Sequence, residues 1–146
     1  MISKPDSNIS NLQTILSSNV DSKRATDMSK YMRNKFVFFG IAAPLRKELF
    51  RRFIKAHGWP EMSRLEAVCQ ELYCLPEREL HYFAMEMIER NIKKLNQSSI
   101  KLFEYMIVTG SWWDTVDFIA ANILGKFFKM YPELTASLTA KMDEFR

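Results

Sequence analysis

The chain has 146 residues, 47% hydrophobic and 26% charged, with a net charge of +4. That length suffices for one domain with a real core, in the ordinary composition range of a globular protein. Four glycines and five prolines are too few for the many turns of an all-β fold, and the longest apolar run, residues 36–45, is interrupted by Gly40 and Pro44 and falls short of the roughly 20 residues that span a bilayer.

The opening residues MISKPDSNIS contain no apolar signal core, so a cytoplasmic protein with no membrane partner is expected. The excess of positive charge is compatible with an anionic partner such as nucleic acid, but it decides nothing until the cations are placed.

Leu, Met, Phe, Glu, Lys and Arg dominate the patterned regions, which favours helix. A first helix is predicted over 8–18, carrying Ile9, Leu12, Ile15 and Leu16. A second, over 22–34, is polar and holds Lys23, Arg24, Lys30 and Arg33, with Lys35 just beyond. The segment FVFFGIAAP breaks it. Pro44 suits the first turn of a third helix, 44–57. There Leu45, Leu49, Phe53 and Ala56 are expected to face inward. Lys47, Arg51 and Lys55, at i, i+4 and i+8, form a basic stripe that is either a solvated face or a phosphate contact.

Gly58 and Pro60 end the third helix, and a fourth covers 61–73. Pro76 opens a fifth that reaches 94. NQSS caps a sixth over 98–108, Gly110 stops it, and Ser111 starts a seventh. Pro132 opens an eighth that runs to the end. No segment alternates like a strand. The expectation is an all-α fold of about eight helices. The helix pairs recur at roughly 35 to 40 residues, as in a HEAT-like helical-repeat solenoid of antiparallel pairs. No residue-for-residue repeat is visible, so a compact bundle stays open. Residues 1–146 are read as a single domain.

Cys69 and Cys74 lie five apart in a helical stretch, so their side chains diverge and reduced thiols are expected. His57 and His81 are not at ligand spacing from either cysteine, so no metal is expected.

The most informative segment is SWWDTVD, residues 111–117. Ser111 with Asp114 three residues on reads as a capping-box-like helix start. At about 100° per residue, Trp112, Val116, Ile119, Ile123 and Phe127 make one apolar stripe. Trp113 and Asp117 lie one turn apart on another face, with Leu124 and Phe128 further along it. Asp114 has a cap to explain it. Asp117, flanked by apolar neighbours, is costly to desolvate and has neither a cap nor a surface role.

Three segments, KYMRNKFVFFGIAAPLRK at 30–47, ELYCLPERELHYFAMEMI at 71–88 and VTGSWWDTVDFIAANILG at 108–125, resemble in order and spacing the bacterial DNA alkylation repair glycosylases built from HEAT-like repeats, the AlkD-like family. Tandem tryptophans followed by D-x-V-D carry most of the likeness. The resemblance implies double-stranded DNA with alkylated bases as partner, and Trp113 and Asp117 as the active-site pair. It places Tyr31 near the DNA cleft, with Lys30, Arg33, Lys47 and Arg51 as DNA-binding cations. Ala42 and Ala43 stand where some relatives carry polar side chains.

The family pattern usually continues for several more helical pairs, so the expectation is a shortened chain lacking the C-terminal part. An apolar edge left there would be covered by self-association. The implied reaction is hydrolytic excision of a cationic N3- or N7-alkylated purine, in a family that can act without deep extrusion of the base. Such a base leaves readily and needs no general acid, and neither a metal nor an organic cofactor is required. Asp117 would steady the oxocarbenium-like sugar and orient the attacking water. Trp113 would offer its electron-rich face to the cation. Two other readings stand beside this one: a catalytically incomplete DNA-binding module, and a protein-interaction scaffold with no DNA role.

Overall fold

The structure is a computed structural model, and it describes residues 7–135. Among these residues the chain is all-α, of the helical-repeat class, and no strand forms. The helices are α1 (Ser7–Ser17), α2 (Ser22–Tyr31), α3 (Ala43–His57), α4 (Met62–Tyr73), α5 (Arg78–Arg90), α6 (Ile100–Val108), α7 (Trp113–Phe118) and α8 (Gly125–Met130). A π-helical segment, Ile119–Leu124, joins α7 to α8. Two compact units are present, Met1–Ala84 and Met85–Arg146.

In the first unit the periodic apolar positions are buried as expected, with Leu12 and Leu16 of α1 and Leu65, Val68 and Leu72 of α4 sealed from solvent. Phe83 meets Phe50 edge-on at 5.0 Å and Phe53 at 5.6 Å. The inward face of α3 differs from the expected one. Leu49, Phe50 and Phe53 are buried, whereas Leu45 and Ala56 are exposed. Phe50 carries far more apolar area than Ala56, so the helix turns that ring inward at the expense of the smaller side chains.

Helix α2 also departs from expectation. It ends at Tyr31, not at residue 34. Arg33 and Asn34 have φ of 57° and 58°, and their N–H groups return to the carbonyls of Lys30 and Ser29. This left-handed turn closes the helix as a C-terminal cap and lets Met32 enter the interior. No side chain within α2 itself is buried.

The loop after α2 is tied to the start of α5. Val37 and Glu77 form an isolated parallel bridge, and the Arg78 N–H donates to the Val37 carbonyl at 2.9 Å. Arg78 is fully buried, its guanidinium 3.6 Å from the centre of the Phe36 ring. It donates to His81 Nδ1 at 3.1 Å, so His81 Nε2 carries the proton and donates to the Leu75 carbonyl at 2.7 Å. His81 stacks on Tyr73 at 5.2 Å. Glu79, also buried, accepts from the N–H groups of Phe39, Gly40 and Ile41 at 3.0, 3.0 and 3.2 Å.

In the second unit α5 ends at Arg90 and not at 94. Asn91 turns its side chain back to the Met87 carbonyl, and a short 3-10 turn, Ile92–Lys94, follows. A second 3-10 turn, Gln97–Ser99, leads into α6. Leu102, Phe103, Met106, Ile107, Val116, Ile119, Ile123, Leu124 and Phe127 are the buried apolar side chains of α6 to α8. Phe103 and Phe127 meet edge to face at 4.7 Å. On an ordinary α-helix Ile119 and Leu124 would lie about 140° apart. The wide i→i+5 turn brings both inward, and both are buried. This register change is why Leu124 leaves the Trp113–Asp117 face on which uniform periodicity placed it. Pro132–Leu134 forms a 3-10 turn. The rest of the expected eighth helix, and the apolar edge beyond it, lie outside the described residues.

Candidate functional site

The heptad 111–117 folds differently at its start from the expected capping box. The N-cap is Trp112, whose extended backbone (φ −157°, ψ 168°) offers no side-chain cap. The first helical bond runs from the Val116 N–H to the Trp112 carbonyl at 3.0 Å. Asp114 spends Oδ1 on the adjacent Thr115 N–H at 2.8 Å, and the Thr115 hydroxyl donates to the Trp112 carbonyl. These short-range bonds displace the Ser111–Asp114 pairing, so the helix opens two residues later than Ser111.

Thr115, Val116, Ile119, Ile123 and Phe127 then point inward, and Trp112 is half-buried. Trp113 and Asp117 project outward, one turn apart on α7, with Trp113 49% exposed. The expected desolvation of Asp117 is therefore corrected. Its flanking residue Val116 turns into the interior, while the carboxylate stands in solvent. Among the described residues that carboxylate makes no ion pair or side-chain hydrogen bond. The arrangement is an exposed acid one turn from a half-exposed indole. It can accept hydrogen bonds from water, attract a cation, and gain strength once a bound surface excludes water.

The remaining predicted residues belong to the first unit. Lys30 and Tyr31 occupy the last turn of α2, with Tyr31 73% exposed, and Arg33 sits in the left-handed turn beyond. Lys47, Arg51 and Lys55 are all exposed on α3. Lys30, Arg33, Lys47 and Lys55 form no ion pair among the described residues.

Arg51 is different. It grips Glu48 with two hydrogen bonds, Nε to Oε2 at 3.0 Å and Nη2 to Oε1 at 2.7 Å. Arg52 Nε reaches the same Oε1 at 3.0 Å. These guanidinium hydrogen bonds hold the Glu48 carboxyl down at about 2, and Glu48 in turn raises the Arg51 pKa. Sequence reasoning missed this clamp, although Glu48 with arginines at i+3 and i+4 is a readable signal. It also missed Arg78 and Glu79, whose burial no local pattern announces.

Among the described residues no disulfide forms; Cys69 is buried and Cys74 exposed. Burial pushes the Cys69 thiol pKa up. No helix among the described residues is long and apolar enough to cross a membrane.

Comparison with known proteins bears on this arrangement. A solved structure of a predicted DNA alkylation repair enzyme from Enterococcus faecalis is similar to the chain at a TM-score of 0.72 and 28% identity, covering 84% of this chain and 57% of that one. The chain thus spans little more than half the length of that structure. No curated protein matches the chain. The family model for DNA alkylation repair enzymes matches residues 12–144, a range that takes in α2, α3, the Glu79 contacts and the whole heptad. With nearly its full length following that model, the chain belongs to the DNA alkylation repair enzyme family.

Proposed function

We propose that the chain is a DNA glycosylase that hydrolyses the N-glycosidic bond of cationic N3- or N7-alkylated purines in duplex DNA. The observation that carries this reading is the outward pair Trp113 and Asp117 on α7, in a chain whose family is named for DNA alkylation repair. A single family match running through both units supports treating residues 1–146 as one HEAT-like repair domain.

The chemistry follows from charge. An alkylated purine is already cationic, so the bonding pair of its glycosidic bond leaves with the base and neutralises it. The sugar becomes an oxocarbenium-like cation. A carboxylate at the Asp117 position stabilises that cation, and DNA lying over it supplies the water exclusion that the exposed site lacks alone. Water then adds to the anomeric carbon and gives up a proton to Asp117 or to solvent. The products are a free base and an abasic site. The Trp113 face adds on the order of 1 kcal/mol of attraction for the developing cation. Lys30, Arg33 and Lys47 are assigned to phosphates, with Tyr31 beside them. Arg51 joins them to the extent that Glu48 releases it. In this reading the chain works without a cofactor, in the cytoplasm.

The test is release of free base from a duplex containing N7-methylguanine, by the wild type and by Asp117→Asn. Because Asp117 is exposed and holds no partner among the described residues, the substitution should leave the fold intact while lowering release by about 100-fold or more. Equal release by the two proteins would remove Asp117 from the mechanism. Salt-sensitive duplex binding with no release by either would favour a DNA-binding module instead.

A further inference from the structure

We propose that Glu79 is a positioning residue: from α5 it fixes the loop 36–41, and through that loop the cationic end of α2. The proposal rests on the DNA-binding reading given above for Lys30 and Arg33.

Helix α2 has no buried side chain of its own, so packing of an apolar face does not hold it in place. Its tethers run to the loop 36–41. The Asp21 N–H donates to the Phe39 carbonyl at 3.0 Å. The Ser29 hydroxyl donates to the Phe36 carbonyl at 2.8 Å. Gly40, with φ of +91°, lies so close beneath the first turn that a Cβ there would sit 2.1 Å from the Asp21 carbonyl oxygen and 2.7 Å from the Ala25 nitrogen. At the exit of the helix Met32 is buried in the interior.

The loop is in turn held by α5. Three successive N–H groups, of Phe39, Gly40 and Ile41, converge on the Glu79 carboxylate. Glu79 is 1% exposed and pairs with no cation among the described residues, so its charge is met by these amide dipoles alone. A carboxylate can accept all three bonds. An amide cannot, because its NH2 would face an N–H group. Filling the space would need no charge. A buried charge compensated by three converging donors fixes where those donors lie, and hence where α2 places Lys30 and Arg33.

Duplex binding by the full chain, followed by fluorescence anisotropy over a salt series, tests this for Glu79→Gln. The expected result is affinity about tenfold weaker at low salt and a salt slope shallower by about two, as for loss of two phosphate contacts. The Lys30→Ala/Arg33→Ala protein should show the same loss, and the triple variant should be no weaker than that double. A merely destabilising change would multiply with the double variant instead. Folded Glu79→Gln protein with wild-type affinity and slope, or losses that multiply, would overturn the proposal.

Amide exchange decides the same point without DNA. Residues 22–31 should exchange faster in Glu79→Gln while 62–73 keep their rates, and unchanged protection of 22–31 overturns the proposal. If the wild type shows no salt-dependent duplex binding, the functional reading fails and exchange still decides the positioning. Should Glu79→Gln not fold, Ser29→Ala cuts a single tether of α2. It should give a smaller loss of the same kind, non-additive with Lys30→Ala/Arg33→Ala, and its absence counts against the loop as the anchor of α2.

Discussion

Replacing Glu48 by glutamine should strengthen, not weaken, duplex binding. One carboxylate on α3 holds two guanidiniums, Arg51 through two hydrogen bonds and Arg52 through one. Glu48→Gln removes the charge that holds them and leaves both arginines beside Lys47 and Lys55 without a counter-ion among the described residues. Each additional phosphate contact steepens the dependence of log affinity on log salt by about 0.9. Two released arginines then steepen it by about 1.8, which compounds to roughly a twelvefold larger fall in affinity across a fourfold rise in salt. Anisotropy titrations at 50 mM and 200 mM potassium chloride, on the order of the range where such slopes are measured, read this directly. A slope equal to that of the wild type would refute the reasoning. It would mean that the α3 stripe does not face phosphate, and Arg51 would leave the set of DNA-binding residues.

Glu48 also predicts a pH response. Its folded pKa of about 2 lies below the ordinary carboxyl value near 4.5, so the pairing with Arg51 and Arg52 is fully present above that value and lost as pH falls through about 2. A carboxyl NMR titration should give a midpoint near 2 at low salt, rising as salt screens the pair. Phe127→Ala should destabilise the protein by about 3 to 5 kcal/mol in urea unfolding, because the ring is fully buried and packed on Phe103. A cost below about 1 kcal/mol would show that the aromatic pair does not form. With a thiol reagent, Cys74 should label in the native protein and Cys69 only after unfolding, since Cys69 is sealed and its thiolate disfavoured.

Much of the fold can be read locally. Pro44, Gly58 and Gly110 mark real helix boundaries, because the constraint each imposes acts within a residue or two. Where two local signals compete, reading fails. Ser111 and Asp114 have the spacing of a cap, but Asp114 bonds to its immediate neighbour and the helix opens later. On α3, Leu45 and Ala56 fit one apolar line and Phe50 another, and the larger ring sets the face.

The candidate site was legible for a different reason from the one first given. Desolvation was expected to single out Asp117, yet it is exposed. Its separation from the buried line survives because i and i+4 spacing holds within α7. The residues that brace the first unit were not legible at all. Arg78 and Glu79 look like a solvated charge pair, and the amides that bind Glu79 lie about forty positions upstream. Nothing in a short window reveals such a contact.

The π-helical segment holds one residue more than an α-helical turn needs between two inward positions. Removing one outward residue from it, such as Ala121, would let the backbone relax to an ordinary α-helix with Ile119 and Leu124 still a turn apart and Phe127 still in the interior. A second removal would find no such slack and would swing everything downstream by about 100°. A deletion library should therefore tolerate single gaps in 119–124 and be depleted of double ones.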